Sequence, residues 1–374
     1  MGCLNLYIHD VEYVYHDMRG YHEGALALIK NFPQNPWGNL NEWFFQWPDI
    51  WGHANFFNPE NAVYWRDVGR TMHTRFMLLS NFLSGGDKYT NVIFFNVIFF
   101  LGQLSLLKTF NRLFPGKKLF FLVLIFLLPL SAFWCSGMHK EGFTIAGIGF
   151  ILLAGTNWKE RKTFKSLFNL VIACLFLLMM RYFYFICLLP PLLLWIFSKE
   201  NQRSLAYYGI MYVVLLVLFF GINSVFPSIT PMDIVVNREV EFDRMKGGSK
   251  LSNIELESSL RGFVTNTPQA IHNVFLLPRS FKDSKYTIAT LGMLANLLLI
   301  FFFLFNTRRK NLGNPISWFA IFASLSILVF IGFTISNLGA LIRYQSVFFS
   351  LLFCGLLSLT NLKDENLTNL RSSK

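Results

Sequence analysis

The densest group of ionisable residues stands in the short stretch FWCSGMHKEGF, residues 133–143. His139, Lys140 and Glu141 follow one another there, between two apolar runs. A carboxylate can take a proton from a reacting hydroxyl, and a neighbouring ammonium can bind a phosphate. The same residues would also suit a solvated turn between two helices. Both interpretations stay open at this point.

A second group lies near the start of the chain, in LYIHDVEYVYHDMRGYHEG. Asp10 and Asp17 are seven residues apart, so they share one face of a helix, and each follows a histidine. Imidazole and carboxylate groups can bind a divalent metal such as Mg²⁺ or Mn²⁺. No HExxH or other close ligand spacing occurs, so the cofactor and the metal site stay open. Asp17 is the main candidate acid of this group.

Two arginines stand at the ends of apolar runs, Arg181 in LFLLMMRYFYF and Arg343 in SNLGALIRYQS. An arginine facing lipid is costly, so each should reach the membrane boundary, a cavity or an acidic partner. A snorkelling role at a helix end is the alternative. The planar guanidinium suits a phosphate or pyrophosphate, and Tyr344 stands beside Arg343 as a supporting group.

The composition indicates an integral membrane protein. Of the 374 residues, 53% are hydrophobic and only 14% are charged, and 43 are phenylalanine. A soluble chain of this size has too little interior for so much apolar material. The net charge of +12 is typical of basic cytoplasmic loops, and no nucleic-acid-binding motif accompanies it.

Nine apolar stretches predict an all-α, polytopic fold with about nine transmembrane helices. They cover residues 90–107, 119–135, 143–156, 167–180, 182–197, 205–223, 288–305, 315–335 and 345–360. Several are shorter than the roughly 20 residues of a perpendicular span, which is typical of helices beside protein or a cavity.

Every second connection between these stretches is basic. Thirteen lysines and arginines fall in 108–118, 157–165, 199–203 and 308–310, which therefore face the cytoplasm. The alternate connections, which hold Lys140, Arg181 and Arg343, face outward. The predicted parts are an outer region with interfacial helices at 1–89, spans at 90–223, a large outer loop at 224–287, spans at 288–360 and a cytoplasmic tail at 361–374.

Two expectations concern the outer parts. Residues 1–89 would lie outside with no earlier apolar segment to carry them across, so we expect a preceding transmembrane helix to be missing from this chain. Within them, residues 70–86 predict an amphipathic helix that ends at two glycines. The charged stretch of 224–287 predicts a solvated loop or a short surface helix.

The order of these features resembles the GT-C class of polytopic glycosyltransferases. An early acid in HDMRGYHEGALAL, an amphipathic helix, paired spans, the turn SGMHKEG and a late outer arginine carry this resemblance. The turn is similar to one in uncharacterised bacterial membrane proteins with an outer SG-x-x-K-E/D pattern. There is no DxD sequence and no WWDYG-like sequence.

The resemblance implies a role for each candidate residue. Asp17 matches the acid that acts as catalytic base, with Asp10 as a substitute, and Glu141 matches the second acid, which helps to hold metal or donor phosphate. Lys140, Arg181 and Arg343 match the phosphate-binding cations, and His139 and Tyr344 support them. The implied partners are the lipid bilayer, a polyprenyl-phosphate-linked sugar, and a glycan or lipid-linked acceptor, in the bacterial cytoplasmic membrane.

Two other functions remain open. A polysaccharide polymerase of the Wzy or EpsG type would make Arg181, Arg343 and the loop 224–287 central instead of Asp17. A transporter or flippase component is the non-enzymatic alternative, although no inverted repeat or matching pair of broken helices occurs. The absence of Walker, Rossmann glycine and GxSxG motifs argues against cytoplasmic ATP-driven chemistry.

Overall fold

The structure is a computed structural model of the chain. It describes residues 1–12, 17–41, 43, 49–244, 250–251, 253–276, 284–308 and 311–364. Side chains are described for all of these except 8–12, 17, 284–286 and 288. Within this part the chain is helical and forms no β-strand, which confirms the prediction of an all-α fold.

The described part of the chain contains sixteen α-helices. In chain order they are α1 (Gly2–Glu12), α2 (Asp17–Asn31), α3 (Pro36–Leu40), α4 (Pro59–Ser84), α5 (Lys88–Leu113), α6 (Lys118–Leu122), α7 (Pro129–Trp134), α8 (Lys140–Arg161), α9 (Phe164–Met180), α10 (Tyr182–Phe197), α11 (Ser204–Val225), α12 (Pro231–Asp243), α13 (Leu260–Leu276), α14 (Ser284–Phe305), α15 (Pro315–Thr334) and α16 (Leu338–Ser358). A π-helical turn, Val123–Leu127, continues α6. Each predicted apolar stretch coincides with a helix, except that 119–135 is broken at Leu128, where Pro129 follows.

Four described helices, α5, α11, α15 and α16, are long and apolar enough to cross a membrane. Four further apolar helices are shorter, at Lys118–Leu127, Phe164–Met180, Tyr182–Phe197 and Ala289–Phe305. With about 1.5 Å per residue, α9 extends about 25 Å, less than the roughly 30 Å of a bilayer core. The structure therefore fits an α-helical membrane protein, but it does not confirm the predicted count of about nine spans.

Two compact units divide the chain. Unit 1 contains Met1–Phe56, Glu60–Leu106 and Ala132–Phe185, and unit 2 contains Phe57–Pro59, Leu107–Ser131 and Ile186–Lys374. The predicted division into five parts concerns the side of the membrane on which each part lies. That division therefore stays a prediction.

In unit 1, small residues bring the backbones of α5 and α8 together. A β-carbon added at Gly102 of α5 would overlap the Cα atom of Ala146, and one added at Gly149 would overlap the carbonyl oxygen of Gly102. Ala146 and Gly149 are three residues apart and therefore share one face of α8. Close approach through small residues is a common way for helices to pack within membranes. α8 also packs along α9.

The predicted amphipathic helix at 70–86 is the second half of α4. Its buried residues recur at helical spacing, with His73, Met77 and Ser80 among them. The helix ends at Ser84, and the two glycines that follow have φ angles of 66° and 87°. Glycine adopts this left-handed conformation readily, so the pair ends the helix as the sequence predicts.

Unit 2 is built around α16, which is almost entirely buried. α16 packs along α15 and also contacts α14 and the π-helical turn. The Ser131 hydroxyl donates to the carbonyl oxygen of Ser346 on α16 and hydrogen-bonds the Ser350 hydroxyl. These polar contacts tie the first turn of α7 to the central helix.

The loop predicted at 224–287 contains two packed helices, α12 and α13. Phe263 of α13 is buried in a cluster with Val235 of α12 and Leu256. A β-carbon added at Gly332 of α15 would overlap the carbonyl oxygen of Ala270, so α13 and α15 nearly touch. The charged stretch, for which the sequence predicts a solvated loop or a short surface helix, thus includes helices, and α13 packs against α15 of unit 2.

Candidate functional site

Glu141 and Arg181 form a buried ion pair in unit 1. Nη2 of Arg181 donates to Oε1 of Glu141 at 2.6 Å. The Arg181 side chain is 15% exposed and the Glu141 side chain is 3% exposed. A charge-assisted bond of this length in a poorly solvated place is among the stronger polar contacts in proteins. The structure therefore brings together two of the predicted site residues that are forty positions apart in the chain.

Helix ends position both members of the pair. Glu141 lies in the first turn of α8, where the positive end of the helix dipole favours a carboxylate. Arg181 stands between α9 and α10 with φ −151° and ψ 71°, and its amide donates to the Leu177 carbonyl. The arginine thus interrupts one apolar run to form two helices and projects from the resulting corner.

The turn before α8 is held by amide side chains from other segments. Nδ2 of Asn5 donates to the Phe133 carbonyl at 2.9 Å, and Nδ2 of Asn96 donates to the Ser136 carbonyl at 2.6 Å. Oδ1 of Asn5 lies 3.2 Å from Nε2 of His139. His139 is buried, and its contact with Asn5 helps to hold the turn. Neither Asn5 nor Asn96 is among the predicted site residues.

Lys140 lies beside an aromatic ring rather than in a solvated turn. Its Nζ atom is 5.2 Å from the centre of the Tyr21 ring, a cation–π distance. Tyr21 in turn contacts His73 of α4, with ring centres 4.5 Å apart, and His73 contacts Phe143 of α8. His73 is fully buried. Lys140 is thereby linked through two rings to the core of unit 1.

The sequence offered one signal for His73. It lies four residues after Gly69 on the buried face of α4, and a histidine on the buried face of a helix is a candidate site residue. A β-carbon at Gly69 would come within 2.8 Å of the Met180 carbonyl oxygen. α4 therefore passes directly against the end of α9 that carries Arg181. Tyr21 and His73 were not predicted as site residues.

The side chains of Asp10 and Asp17 lie outside the described part of the structure. The backbone places Asp17 as the first residue of α2 and Asp10 within α1. Met18, the next residue, is buried in the cluster that also contains Met138 and Met180. These two methionines immediately precede His139 and Arg181 in the chain. The predicted roles of Asp17 and Asp10 stay predictions.

Arg343 and Tyr344 belong to unit 2, where they form a separate cluster. Nη2 of Arg343 donates to the Tyr344 hydroxyl at 3.0 Å. The Tyr344 ring meets Phe242 of α12 edge-on, with centres 6.1 Å apart, and the guanidinium of Arg238 lies 4.6 Å from the Phe242 ring centre. Two arginines thus flank an edge-to-face aromatic pair that joins α12 to α16.

The described side chains provide no metal site by themselves. Among them, no group of three or more histidine, cysteine, aspartate or glutamate residues could hold a metal ion. The side chains of Asp10 and Asp17, where the sequence suggests that a divalent cation could bind, lie outside this part. Metal dependence stays open for experiment.

Comparison with family models, with curated proteins and with solved structures finds no match to this chain.

Proposed function

We propose that the protein is a membrane glycosyltransferase that takes a sugar from a polyprenyl-phosphate-linked donor at the outer face of the bacterial cytoplasmic membrane. The buried Glu141–Arg181 pair carries this proposal, because a second cation, Lys140, stands next to it in the chain. Two cations and one carboxylate leave a net positive charge, which suits a phosphate ester. A GT-C-like architecture with about nine spans is part of the proposal.

Each residue then has a distinct task. The Arg181 guanidinium and the Lys140 ammonium bind the donor phosphate and stabilise the negative charge that develops on it as it leaves. Glu141 is a positioning residue, since its Oε1 atom accepts from Arg181 and holds that side chain in place. Asp17 takes the proton of the acceptor hydroxyl.

The proposed reaction is a single displacement. The acceptor oxygen forms a bond to the anomeric carbon of the sugar, and the bond from that carbon to the phosphate oxygen breaks. The proton of the acceptor goes to the Asp17 carboxylate. The electron pair of the broken bond stays on the polyprenyl phosphate, where Arg181 and Lys140 face the added charge.

The test uses the full chain in membranes of a strain that lacks its own copy. We expect Asp17→Asn to lower the assembly of surface glycan about 10²- to 10⁴-fold, which is the usual contribution of a general base. Glu23→Gln is the matched control, because this acid is exposed and its ion pair with Arg19 lies on the surface. Equal glycan levels in both variants, at equal protein levels, would overturn the assignment of Asp17.

A polysaccharide polymerase is the second candidate, and the cluster around Arg343 favours it. Phe242 belongs to the region predicted as the large outer loop and meets Tyr344 of α16 edge-on, with Arg238 beside Phe242 and Arg343 beside Tyr344. Under this alternative, Arg343→Ala stops glycan assembly while Asp17→Asn and Glu141→Gln leave it intact. Arg261→Ala, an exposed position of α13, is the control.

A further inference from the structure

Four connections of unit 2 meet at one end and enclose a cavity of about 650 Å³. They are the segment between α5 and α6, the segments before α11 and before α15, and the residues after α16. Three of these belong to the basic loops that the sequence predicts to face the cytoplasm. Their convergence within one unit is independent of the Glu141–Arg181 site, which lies in unit 1.

The walls of this cavity are held by a continuous set of hydrogen bonds. Lys117 donates to the carbonyl oxygens of Leu357, Ser358 and Thr360 at 2.8, 3.3 and 2.8 Å. The backbone N–H of Asn201 donates to the Gly313 carbonyl oxygen at 2.9 Å. Because each wall is tied to its neighbour, the cavity is preformed, as binding sites usually are.

Other lining groups have hydrogen-bonding capacity left over. Among the residues that the structure describes, neither the amide of Gln202 nor the ammonium of Lys363 has a hydrogen-bond or ion-pair partner, although both line the cavity. Asn361 accepts through Oδ1 and keeps its Nδ2 donor, and Asn311 donates through Nδ2 and keeps its Oδ1 acceptor. The described lining therefore combines amide donors and acceptors with the ammonium of Lys363.

We propose that this cavity binds a phosphorylated polyol. Side-chain amides donate and accept, which matches hydroxyl groups that do the same, and the Lys363 ammonium matches a phosphate. The apolar wall formed by Leu113, Phe114 and Leu362 suits the carbon face of such a ligand. The volume falls within the range of about 300–1,000 Å³ that is usual for small-molecule sites. The ligand is either a free sugar phosphate or the headgroup of a glycerophospholipid.

The experiment measures binding to the full chain in phosphatidylcholine nanodiscs. The free ligand is represented by glucose 1-phosphate, titrated calorimetrically, with glucose as the uncharged control. The lipid is represented by phosphatidylglycerol, mixed with phosphatidylcholine and scored by the lipid that stays bound in native mass spectrometry. Binding of glucose 1-phosphate identifies a soluble ligand, and selective retention of phosphatidylglycerol identifies a lipid headgroup.

Two pairs of variants locate the binding. A β-carbon at Gly313 would lie 3.4 Å from Nε2 of Gln202 and has ordinary contacts, so Gly313→Leu should fill the cavity while Gly313→Ala should leave it open. Lys363→Gln should weaken binding about tenfold, since it removes a charged hydrogen bond. Lys118→Gln removes the same charge from a residue that does not line the cavity.

Each outcome either supports the proposal or overturns it. Loss of binding with Gly313→Leu and Lys363→Gln, but not with the two controls, supports the proposal. If Gly313→Leu fails to fold, the lysine pair decides. Equal losses with Lys363→Gln and Lys118→Gln would show general attraction to a basic surface and overturn the proposal. A failure of both probes to bind would also overturn the proposal. Glycan assembly plays no part in this test, so its result is distinct from that of the transferase proposal.

Discussion

Glu141 and Arg181 are the residues on which the account depends most. Removing one member leaves the other charge buried without its partner, which typically costs about 3–5 kcal/mol. We therefore expect Glu141→Ala to lower the free energy of unfolding by roughly 3 kcal/mol, measured by thermal unfolding in detergent. Glu23→Ala, which removes an exposed acid, is the control and should change it by less than about 1 kcal/mol. A Glu141→Ala protein as stable as the control would contradict the buried pair.

Glu239 of α12 provides a second prediction at this scale. Burial raises the pKa of its carboxyl group above the ordinary 4.5, and Asp243 and Glu255 raise it further, although Lys250 opposes them. The folded state therefore holds this proton to higher pH than the unfolded chain does. The resulting stability is present below the unfolded pKa and is lost as the pH rises through the folded pKa.

Glu239→Gln removes this dependence. We expect the variant to be more stable than the wild type at about pH 8 and no more stable at about pH 4, because the wild-type side chain is neutral there in both states. Thermal unfolding at the two pH values measures the difference. Glu257→Gln, at an exposed position, is the matched control. A constant difference across pH would count against a raised pKa.

At the scale of elements, the contact between α5 and α8 predicts the direction in which stability changes when a glycine at that contact is replaced. Gly149→Ala would force a methyl group into the Gly102 carbonyl, so the helices must separate, at about 1–3 kcal/mol. Gly209→Ala on α11 meets nothing within 4 Å and should stabilise that helix by about 0.5–1 kcal/mol. The two melting temperatures should therefore move in opposite directions. A tolerated Gly149→Ala would contradict the close packing.

The end of α16 depends on Lys117 in a similar way. The last carbonyl groups of a helix lack partners within it, and a cation there is favourable. Burial lowers the pKa of Lys117 to about 8, so the side chain is still mainly an ammonium at neutral pH. We expect Lys117→Met to lower the free energy of unfolding by about 1.5–3 kcal/mol. Lys118→Met, at an exposed neighbouring position, should have little effect, and equal effects would contradict the capping role.

At the scale of the whole molecule, apolar periodicity predicted the helices well, because hydrophobic runs of this length have few other stable forms. Of the connections predicted from the loop charges to face outward, those with Lys140 and Arg181 belong to unit 1 and the one with Arg343 belongs to unit 2. His139, Lys140 and Glu141 share unit 1 with Arg181, and three basic connections of unit 2 line one cavity. The side of the membrane on which each group lies remains a prediction.

Other features could not be predicted from the sequence. The anchoring of the turn by Asn5, and the ring contacts of Tyr21 with Lys140 and His73, join segments that are far apart in the chain. Periodicity reports which face of a helix is buried, but not which partner covers it. For the same reason the sequence did not predict that Arg343 joins Phe242 through Tyr344, or that the chain divides into two units.

The central claim is that the Glu141–Arg181 pair serves catalysis and not only folding. The double variant Glu141→Leu/Arg181→Met removes both charges together, and such replacements of buried pairs are often neutral or stabilising. The direct measurement is the release of polyprenyl phosphate from a polyprenyl-phosphate-linked hexose by the purified chain in the presence of a glycan or lipid-linked acceptor. The account predicts a folded double variant whose release is about 10²- to 10³-fold slower than that of the wild type. A folded double variant that releases polyprenyl phosphate at the wild-type rate would contradict it.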